Sequence, residues 1–145
     1  MENIETRPEV TFYKNSSFQN EDIRRYITGV DGDFGLPMQI RQIKVIQFNE
    51  ESVNNKMVVG NHRHYGESGQ WELVVIVGKE NVRQFDFRYR NYNGNIEQRT
   101  LFGGEVAVIP PGCSLALIAL HSNAMLIEIS NKAYSPNNYI QDILF

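Results

Sequence analysis

The sequence has a single cysteine, no long apolar run and no basic leader. With only Cys113, neither an intramolecular disulfide nor a cysteine-rich zinc site can form. The apolar stretch 114–120 is only as long as a strand and cannot cross a membrane. Residues 1–8 lack the basic start and apolar segment of a signal peptide. We therefore expect a cytoplasmic protein with no membrane partner.

The chain also lacks an excess of positive charge. Its 14 Lys and Arg residues are outnumbered by 17 Asp and Glu residues, and the net charge of -3 argues against nucleic acid as a partner. The composition, 41% apolar and 21% charged, excludes the disordered, collagenous and coiled-coil classes. A chain of 145 residues predicts one domain, in which residues 1–29 are an arm with a short helix and residues 30–145 form the main body.

Three common catalytic signatures are missing from the sequence. The pair Gly103-Gly104 precedes a predicted strand instead of a helix, so it does not form a phosphate-binding loop. There is no Gly-x-Ser-x-Gly elbow, and Cys113 lies in a Pro-Gly turn with no base predicted beside it. These absences argue against nucleotide hydrolysis through a P-loop and against nucleophilic catalysis.

Short strands separated by turns dominate the chain from residue 40 onward. Eight segments are rich in β-branched and aromatic residues: 40–48, 57–59, 71–77, 82–90, 96–101, 105–109, 115–120 and 125–129. Residues 82–90 alternate apolar and polar side chains, and the pair Asn93-Gly94 that follows predicts a tight hairpin. This pattern predicts an all-β sandwich or barrel with one or two short helices at its periphery.

The two ends of the chain have less regular patterns. Residues 1–19 read as an arm that pairs at a sheet edge or packs on a partner subunit. Asn20 as an N-cap, an apolar stripe and a closing Gly29 predict a short helix over 20–29. Residues 30–37 predict an ordered loop or hairpin, and the tail 134–143 predicts a turn leading into a short helix or a strap over the sheet.

Two of the three histidines are two residues apart in the segment Gly60-x-His62-x-His64. If the segment is extended, side chains at i and i+2 lie on the same face of a sheet. His62 and His64 are then predicted to point together into the volume that this face encloses. Without further context such a pair is also compatible with a purely structural role at the edge of the core.

The order of motifs resembles the cupin superfamily. The segment Gly60-x-His62-x-His64 and the stretch 104–112, which ends in Pro-Pro-Gly, are similar to the two cupin motifs. Within that superfamily the chain most resembles the 3,4-ketoisomerases and 3,5-epimerases of dTDP-4-keto-6-deoxyhexoses, to which stretches 32–37 and 129–142 are also similar. The resemblance covers residues 30–145 and implies a cupin-type jelly-roll β-barrel in that range.

The resemblance implies proton transfer next to a sugar carbonyl. His62 matches the base of the epimerases, and His62 and His64 together match the histidine pair of the ketoisomerases. Tyr134 falls in a Tyr-Ser-Pro segment similar to the one that supplies a tyrosine acid in epimerases. A neutral imidazole suits the task because its ordinary pKa of about 6.5 is close to working pH. The packing of an aromatic side chain near the chain end is an equally plain explanation for Tyr134.

Three further residues are candidates for binding the substrate. Arg41 precedes the histidines on a predicted strand and could hold an enolate oxygen or a diphosphate. Arg88 belongs to a basic group beside the Asn-Gly hairpin that could meet a diphosphate. Glu72 offers a carboxylate close in sequence to the histidine pair. The plain alternative for both arginines is a solvated position on a sheet.

Metal binding is the competing interpretation of the histidine pair. Two histidines with Glu67 or Glu72 could form a facial triad. Metal cupins take a further histidine three residues after the Pro-x-Gly glycine, and this chain has Leu115 there. The lysine usual after the paired histidines is Tyr65, so part of the site differs from the family. We expect no bound metal and no cofactor.

The sequence therefore predicts an isomerase or epimerase of a nucleotide-linked 4-keto-6-deoxy sugar that works by histidine-mediated proton transfer. Two alternatives remain: a non-catalytic cupin that binds a sugar or sugar nucleotide, and a metal-dependent cupin enzyme. The expected ligand is a nucleotide sugar. A homodimer is expected, formed through the N-terminal arm or an exposed sheet edge.

Overall fold

The computed structural model describes residues 7–14, 18–21, 26–29, 39–135 and 137–145, with the backbone alone for 18–21 and 26–29. The strands are β1 Thr11–Tyr13, β2 Phe18–Glu21, β3 Tyr26–Gly29, β4 Gln42–Gln47, β5 Val58–Arg63, β6 Glu72–Val77, β7 Arg83–Arg90, β8 Ile96–Phe102, β9 Val106–Ile109, β10 Ser114–Ala119, β11 Met125–Ser130 and β12 Ile140–Gln141. A helix, α1 Glu50–Asn54, and a 3-10 turn, Gly66–Ser68, accompany them. The prediction of an all-β protein with short peripheral helices is confirmed.

The strands form two five-stranded antiparallel sheets and a separate hairpin. One sheet has the order β1-β9-β6-β11-β4 and the other has the order β12-β5-β10-β7-β8, while β2 pairs with β3. The main core contains side chains from both large sheets, such as Val74 and Ile76 from the first and Phe85, Phe87 and Leu117 from the second. Burying a large apolar side chain of this kind contributes about 1.5–3 kcal/mol, so the core binds the sheets face to face.

The strand pattern of the sequence is reproduced closely from β4 to β11. In β7, Phe85 and Phe87 are fully buried while Asp86 and Arg88 are only partly buried, as the alternation of residues 82–90 predicts; Gln84, predicted on the polar face, is buried next to a register shift of the strand. A hairpin joins β7 to β8 as predicted, but residues 91–95 separate the paired Arg90 and Ile96, so the connection is longer than a two-residue Asn-Gly turn; Asn93 adopts the left-handed conformation (φ 55°) within it. Hydrophobic periodicity was sufficient here because each of these strands has one face in the core.

The helix predicted over residues 20–29 is wrong. Phe18–Glu21 and Tyr26–Gly29 pair as antiparallel strands, with Asn20 opposite Ile27. An isolated helix shorter than about 12 residues has little stability of its own, so cross-strand hydrogen bonds displace it easily. The α-helix that does form in the described residues, α1, lies at Glu50–Asn54 and is capped by the Asn49 side chain, which accepts from the Ser52 amide at 2.9 Å.

Both ends of the chain join the sheets. The arm contributes β1, which pairs with β9 at the edge of the first sheet, and the tail forms β12, a strap that pairs with β5. The loop or hairpin predicted for residues 30–37 lies outside the described residues. Within the described part of the chain, no helix is long and apolar enough to cross a membrane.

Candidate active site

Strand β5 brings the two histidines together on the inner side of its sheet. His62 is opposite Leu115 of β10 and opposite Gln141 of β12, so the strand is paired on both sides. The rings of His62 and His64 have their centroids 5.2 Å apart, as expected for side chains at i and i+2 of an extended strand. His62 lies in β5 and His64 follows directly after its last residue, so the backbone of β5 fixes the pair.

Gly60 shapes the strand just before the histidines. It has a φ of +100°, a conformation that side chains rarely adopt, and β5 slips in register against β10 at this point. A Cβ atom on Gly60 would lie 2.6 Å from the backbone oxygen of Leu115. The glycine thus permits the bulge that sets the phase of His62 and His64.

A cavity of about 640 Å³ lies between the two sheets, with the histidines in its wall. The wall combines side chains of β4 and β6 from one sheet with side chains of β5, β12 and the tail from the other. Its lining residues are Gln42, Lys44, Gly60, Asn61, His62, His64, Gln70, Glu72, Tyr134, Ser135, Tyr139 and Gln141. The volume is that of a small-molecule site.

His64 is held in its protonated form by two acceptors. Its Nδ1 lies 2.8 Å from the backbone oxygen of Asn138, which can only accept, so Nδ1 carries a proton and donates. Its Nε2 contacts a carboxylate oxygen of Glu72, whose side chain is 2% exposed. Burial alone would lower the pKa of His64, but the hydrogen bond to Glu72 and the charge of Glu72 outweigh it and raise the pKa.

His62, in contrast, is held in its neutral form. Burial lowers its pKa, and the charges of His64 and Lys44 lower it further, against the opposing effect of Glu72. The ring of Tyr139 packs edge-on against it at a centroid distance of 5.7 Å. One cavity therefore contains a neutral imidazole and an imidazolium next to each other, the combination that acid–base catalysis needs.

Two carboxyl groups lie behind the histidines. Burial opposes ionisation of Glu72, but hydrogen bonds from His64 and Glu128 lower its pKa. The pKa of Glu128 is raised by burial and by the adjacent charge of Glu72, and Lys44 Nζ lies 3.3 Å from its Oε1. Glu72 Oε2 is buried and has no hydrogen-bond partner among the described residues, so the two carboxyl groups oppose each other's ionisation without further donors to relieve them.

The structure brings together four of the six residues that the sequence suggested. His62, His64, Glu72 and Tyr134 all line the cavity, although Tyr134 remains 69% exposed. Arg41 is exposed outside the lining, and its guanidinium donates to Gln39 at 3.0 Å.

Arg88 lies outside the lining too. It donates to the backbone oxygen of Leu144 at 2.8 Å and to Gln98, and it stacks over the Phe145 ring at 4.2 Å. Its guanidinium is therefore used to hold the C-terminal tail. Two other basic residues of this group also have partners: Arg90 pairs with Asp142, and Arg99 pairs with Glu105.

Sequence reasoning missed several lining residues, above all Lys44, Gln70 and Tyr139. Strand alternation could have predicted that Lys44 faces inward, because it lies two residues from Ile46, which packs against the core. Tyr139 lies in a strap whose pairing with β5 no local pattern encodes. Gln70, which donates to Glu72 at 3.2 Å, is polar and buried in a loop, a position with no sequence signal.

His62, His64 and Glu72 are also close enough to be tested as a metal site, since one ligand atom from each lies within 4.8 Å of the others. The fit is poor as they stand, because His64 Nε2 is hydrogen-bonded directly to Glu72, and these two ligand atoms would have to separate to admit an ion. Leu115, where a metal cupin has histidine, is 3% exposed and packs in the core. Glu67, the other carboxylate considered, lies in the exposed 3-10 turn and outside this group.

Two facing antiparallel sheets with a histidine pair in the cavity between them define a cupin-type barrel, and comparison with solved structures agrees. A variant of the 3,4-ketoisomerase QdtA from Thermoanaerobacterium thermosaccharolyticum, in complex with TDP-4-keto-6-deoxyglucose, is similar with a TM-score of 0.68 and 13% identity, over 92% of this chain and 87% of that one. A 3,4-ketoisomerase from Helicobacter canadensis is similar with a TM-score of 0.68 and 14% identity, over 94% and 92%.

An epimerase has the same fold. ChmJ, a 3'-monoepimerase from Streptomyces bikiniensis in complex with dTDP-quinovose, has a TM-score of 0.73 and 14% identity, over 91% of this chain and 68% of that one. No family model matches the chain, and no curated protein matches it at a significant level. The chain thus has the cupin-type fold of these ketoisomerases and epimerases, as its motifs suggested.

Proposed function

We propose that the protein isomerises or epimerises a nucleotide-linked keto sugar by proton transfer, with His62 as the base. The observation that carries this proposal is the pairing of a neutral His62 with a protonated His64 in one cavity. The solved structures with the same fold support the substrate class, since they include complexes with TDP-4-keto-6-deoxyglucose and dTDP-quinovose.

The chemistry follows from the two charge states. His62 removes a proton from the carbon next to the carbonyl, the C–H electron pair forms a C=C bond, and the carbonyl π pair moves to oxygen. Return of a proton to the opposite face of the same carbon, from a donor across the cavity, gives an epimer. For the ketoisomer, the hydroxyl on the deprotonated carbon first passes its proton to the former carbonyl oxygen. A proton from His64 then adds to the former carbonyl carbon, and the carbonyl group has moved to the neighbouring position. Tyr134 lines the cavity and is the further candidate acid.

Solvent deuterium incorporation into TDP-4-keto-6-deoxyglucose tests the proposal. We expect exchange at the carbon next to the carbonyl with the wild-type protein, and a loss of about 100-fold or more in His62→Asn, because a positioned base contributes 10²–10⁴-fold. His121→Asn is the matched control, since His121 hydrogen-bonds to Gln84 and Ser122 away from the cavity lining. Binding of nucleotide sugars without any exchange would instead favour the non-catalytic sugar-binding alternative.

The metal-dependent alternative has one observation in its favour, the closeness of His62, His64 and Glu72. Elemental analysis of protein produced with added iron, nickel, manganese and zinc tests it. A stoichiometric metal that is lost in His62→Asn and kept in His121→Asn would overturn the choice made above. Full exchange activity in the presence of a chelator would remove the metal alternative.

A further inference from the structure

Lys44 is the only lysine or arginine among the described residues that line the histidine cavity. It is in phase with Gln42, which also lines the cavity, and with Ile46, which packs on the core. Its neighbours Ile43 and Val45 are 62% and 64% exposed on the other face of β4. The pleat of the strand therefore directs the Lys44 side chain inward.

One ion pair positions the ammonium group of Lys44 and leaves hydrogen-bond donors for a ligand. Nζ lies 3.3 Å from Glu128 Oε1, and the side chain keeps 43% of its exposure while that of Glu128 keeps 9%. An ammonium has three donors, so a contact with one carboxyl leaves donors for a ligand. The charge of Lys44 also acts on His62, where it adds to the effect of burial in lowering the pKa. Lys44 and the proposed base, His62, both line the cavity.

The proposed reaction needs a positive group at one defined point. When a proton leaves the carbon next to a carbonyl, negative charge develops on the carbonyl oxygen, and a fixed donor there stabilises the transition state. The sequence offered Arg41 for this task, but its guanidinium is exposed outside the cavity lining.

We infer that Lys44 binds the carbonyl oxygen of the keto sugar and stabilises the enolate that forms on it. The inference rests on the proposed function and adds to it a catalytic residue on β4, in the sheet opposite the base. The Glu128 carboxyl anchors the ammonium from behind, so that Lys44 meets the substrate oxygen while His62 meets the neighbouring C–H.

Steady-state and exchange kinetics of Lys44→Gln and Lys44→Arg test the assignment. We expect kcat to fall by about 100-fold in Lys44→Gln with a smaller change in KM, because the donor acts mainly on the transition state. Lys44→Arg keeps the charge and is expected to recover part of the loss. Lys56→Gln, the same charge change at an exposed residue after α1, is the control and should leave kcat unchanged.

A double variant separates substrate binding from a purely structural ion pair. If Lys44 only neutralises Glu128, then Lys44→Gln combined with Glu128→Gln should restore kcat, because no buried carboxyl is left without its partner. If Lys44 contacts the substrate, the double variant stays as deficient as Lys44→Gln alone. Thermal unfolding of each variant checks that the fold is intact.

Two results would overturn the inference, and both differ from a failure of the proposed function. Unchanged kcat in a folded Lys44→Gln variant, or restored kcat in the double variant, would remove Lys44 from catalysis while the wild-type protein still exchanges deuterium. Absence of exchange in the wild-type protein would instead refute the proposed function itself.

Discussion

Glu72→Gln should destabilise the protein in a manner that depends on pH. The Glu72 carboxylate is 2% exposed and accepts the Nε2 proton of His64, while Nδ1 of His64 donates to Asn138 at 2.8 Å. Glutamine has nearly the same shape but no charge, so the substitution leaves a largely buried imidazolium without its counter-ion. His64 must then lose its proton or remain charged at a cost.

The magnitude follows from the burial of both groups. Removing one partner of a buried ion pair costs about 3–5 kcal/mol, and about 3 kcal/mol is expected here because His64 keeps 15% side-chain exposure and can deprotonate. For a chain of this size, 1 kcal/mol shifts Tm by about 2–4 °C, so the loss corresponds to roughly 10 °C.

The pH dependence comes from the two pKa shifts. The pKa of Glu72 is lowered from 4.5, so its stabilisation is present above 4.5 and lost as pH falls through the folded-state value. The pKa of His64 is raised from 6.5, so its stabilisation is complete below 6.5 and lost as pH rises through the folded-state value. Glu72→Gln should therefore cost most between pH 4.5 and 6.5 and less as the pH rises through the folded-state pKa of His64.

Urea unfolding at pH 6 and pH 9 measures this difference, and NMR titration of labelled histidine measures the pKa of His64 directly. The pKa should fall in Glu72→Gln, because the hydrogen bond to Glu72 and its charge, the two largest effects that oppose burial, are then lost. Glu67→Gln, in the exposed 3-10 turn, is the control and should change neither quantity. An equal loss of stability at both pH values, or an unchanged His64 pKa, would refute the assignment of a His64–Glu72 ion pair.

Two further predictions concern the backbone around the site. Gly60→Ala should lower the free energy of unfolding in urea by about 2 kcal/mol or more, because the new Cβ would lie 2.6 Å from the Leu115 oxygen and φ is +100°. Gly69→Ala is the control: a Cβ there meets open space, so the loss should be smaller. Arg88→Ala removes the stacking contact with the Phe145 ring and should speed hydrogen exchange in residues 140–145; unchanged exchange there would show that the tail is held by its other contacts.

Most of the barrel could be predicted from the sequence because its strands are periodic. Residues 82–90 alternate so regularly that their buried face is evident, and Asn93-Gly94 defines the hairpin that follows. The helix prediction for residues 20–29 was wrong because the few apolar residues of this short segment fit a helical stripe and a strand equally well. Pairing between β2 and β3 decided that the segment forms a strand. The homodimer, the cytoplasmic location and the boundary between residues 1–29 and 30–145 stay predictions.

The sequence by itself determined the all-β class and placed His62 and His64 on one face of a strand, because both follow from a two-residue period. Only the tertiary structure decided their chemistry. Glu72 and Lys44 come from the opposite sheet, and Asn138 comes from the tail, so their contacts depend on how distant segments meet. That packing makes one imidazole neutral and the other charged, since burial and a partner carboxylate act on a histidine only once the chain has folded around it.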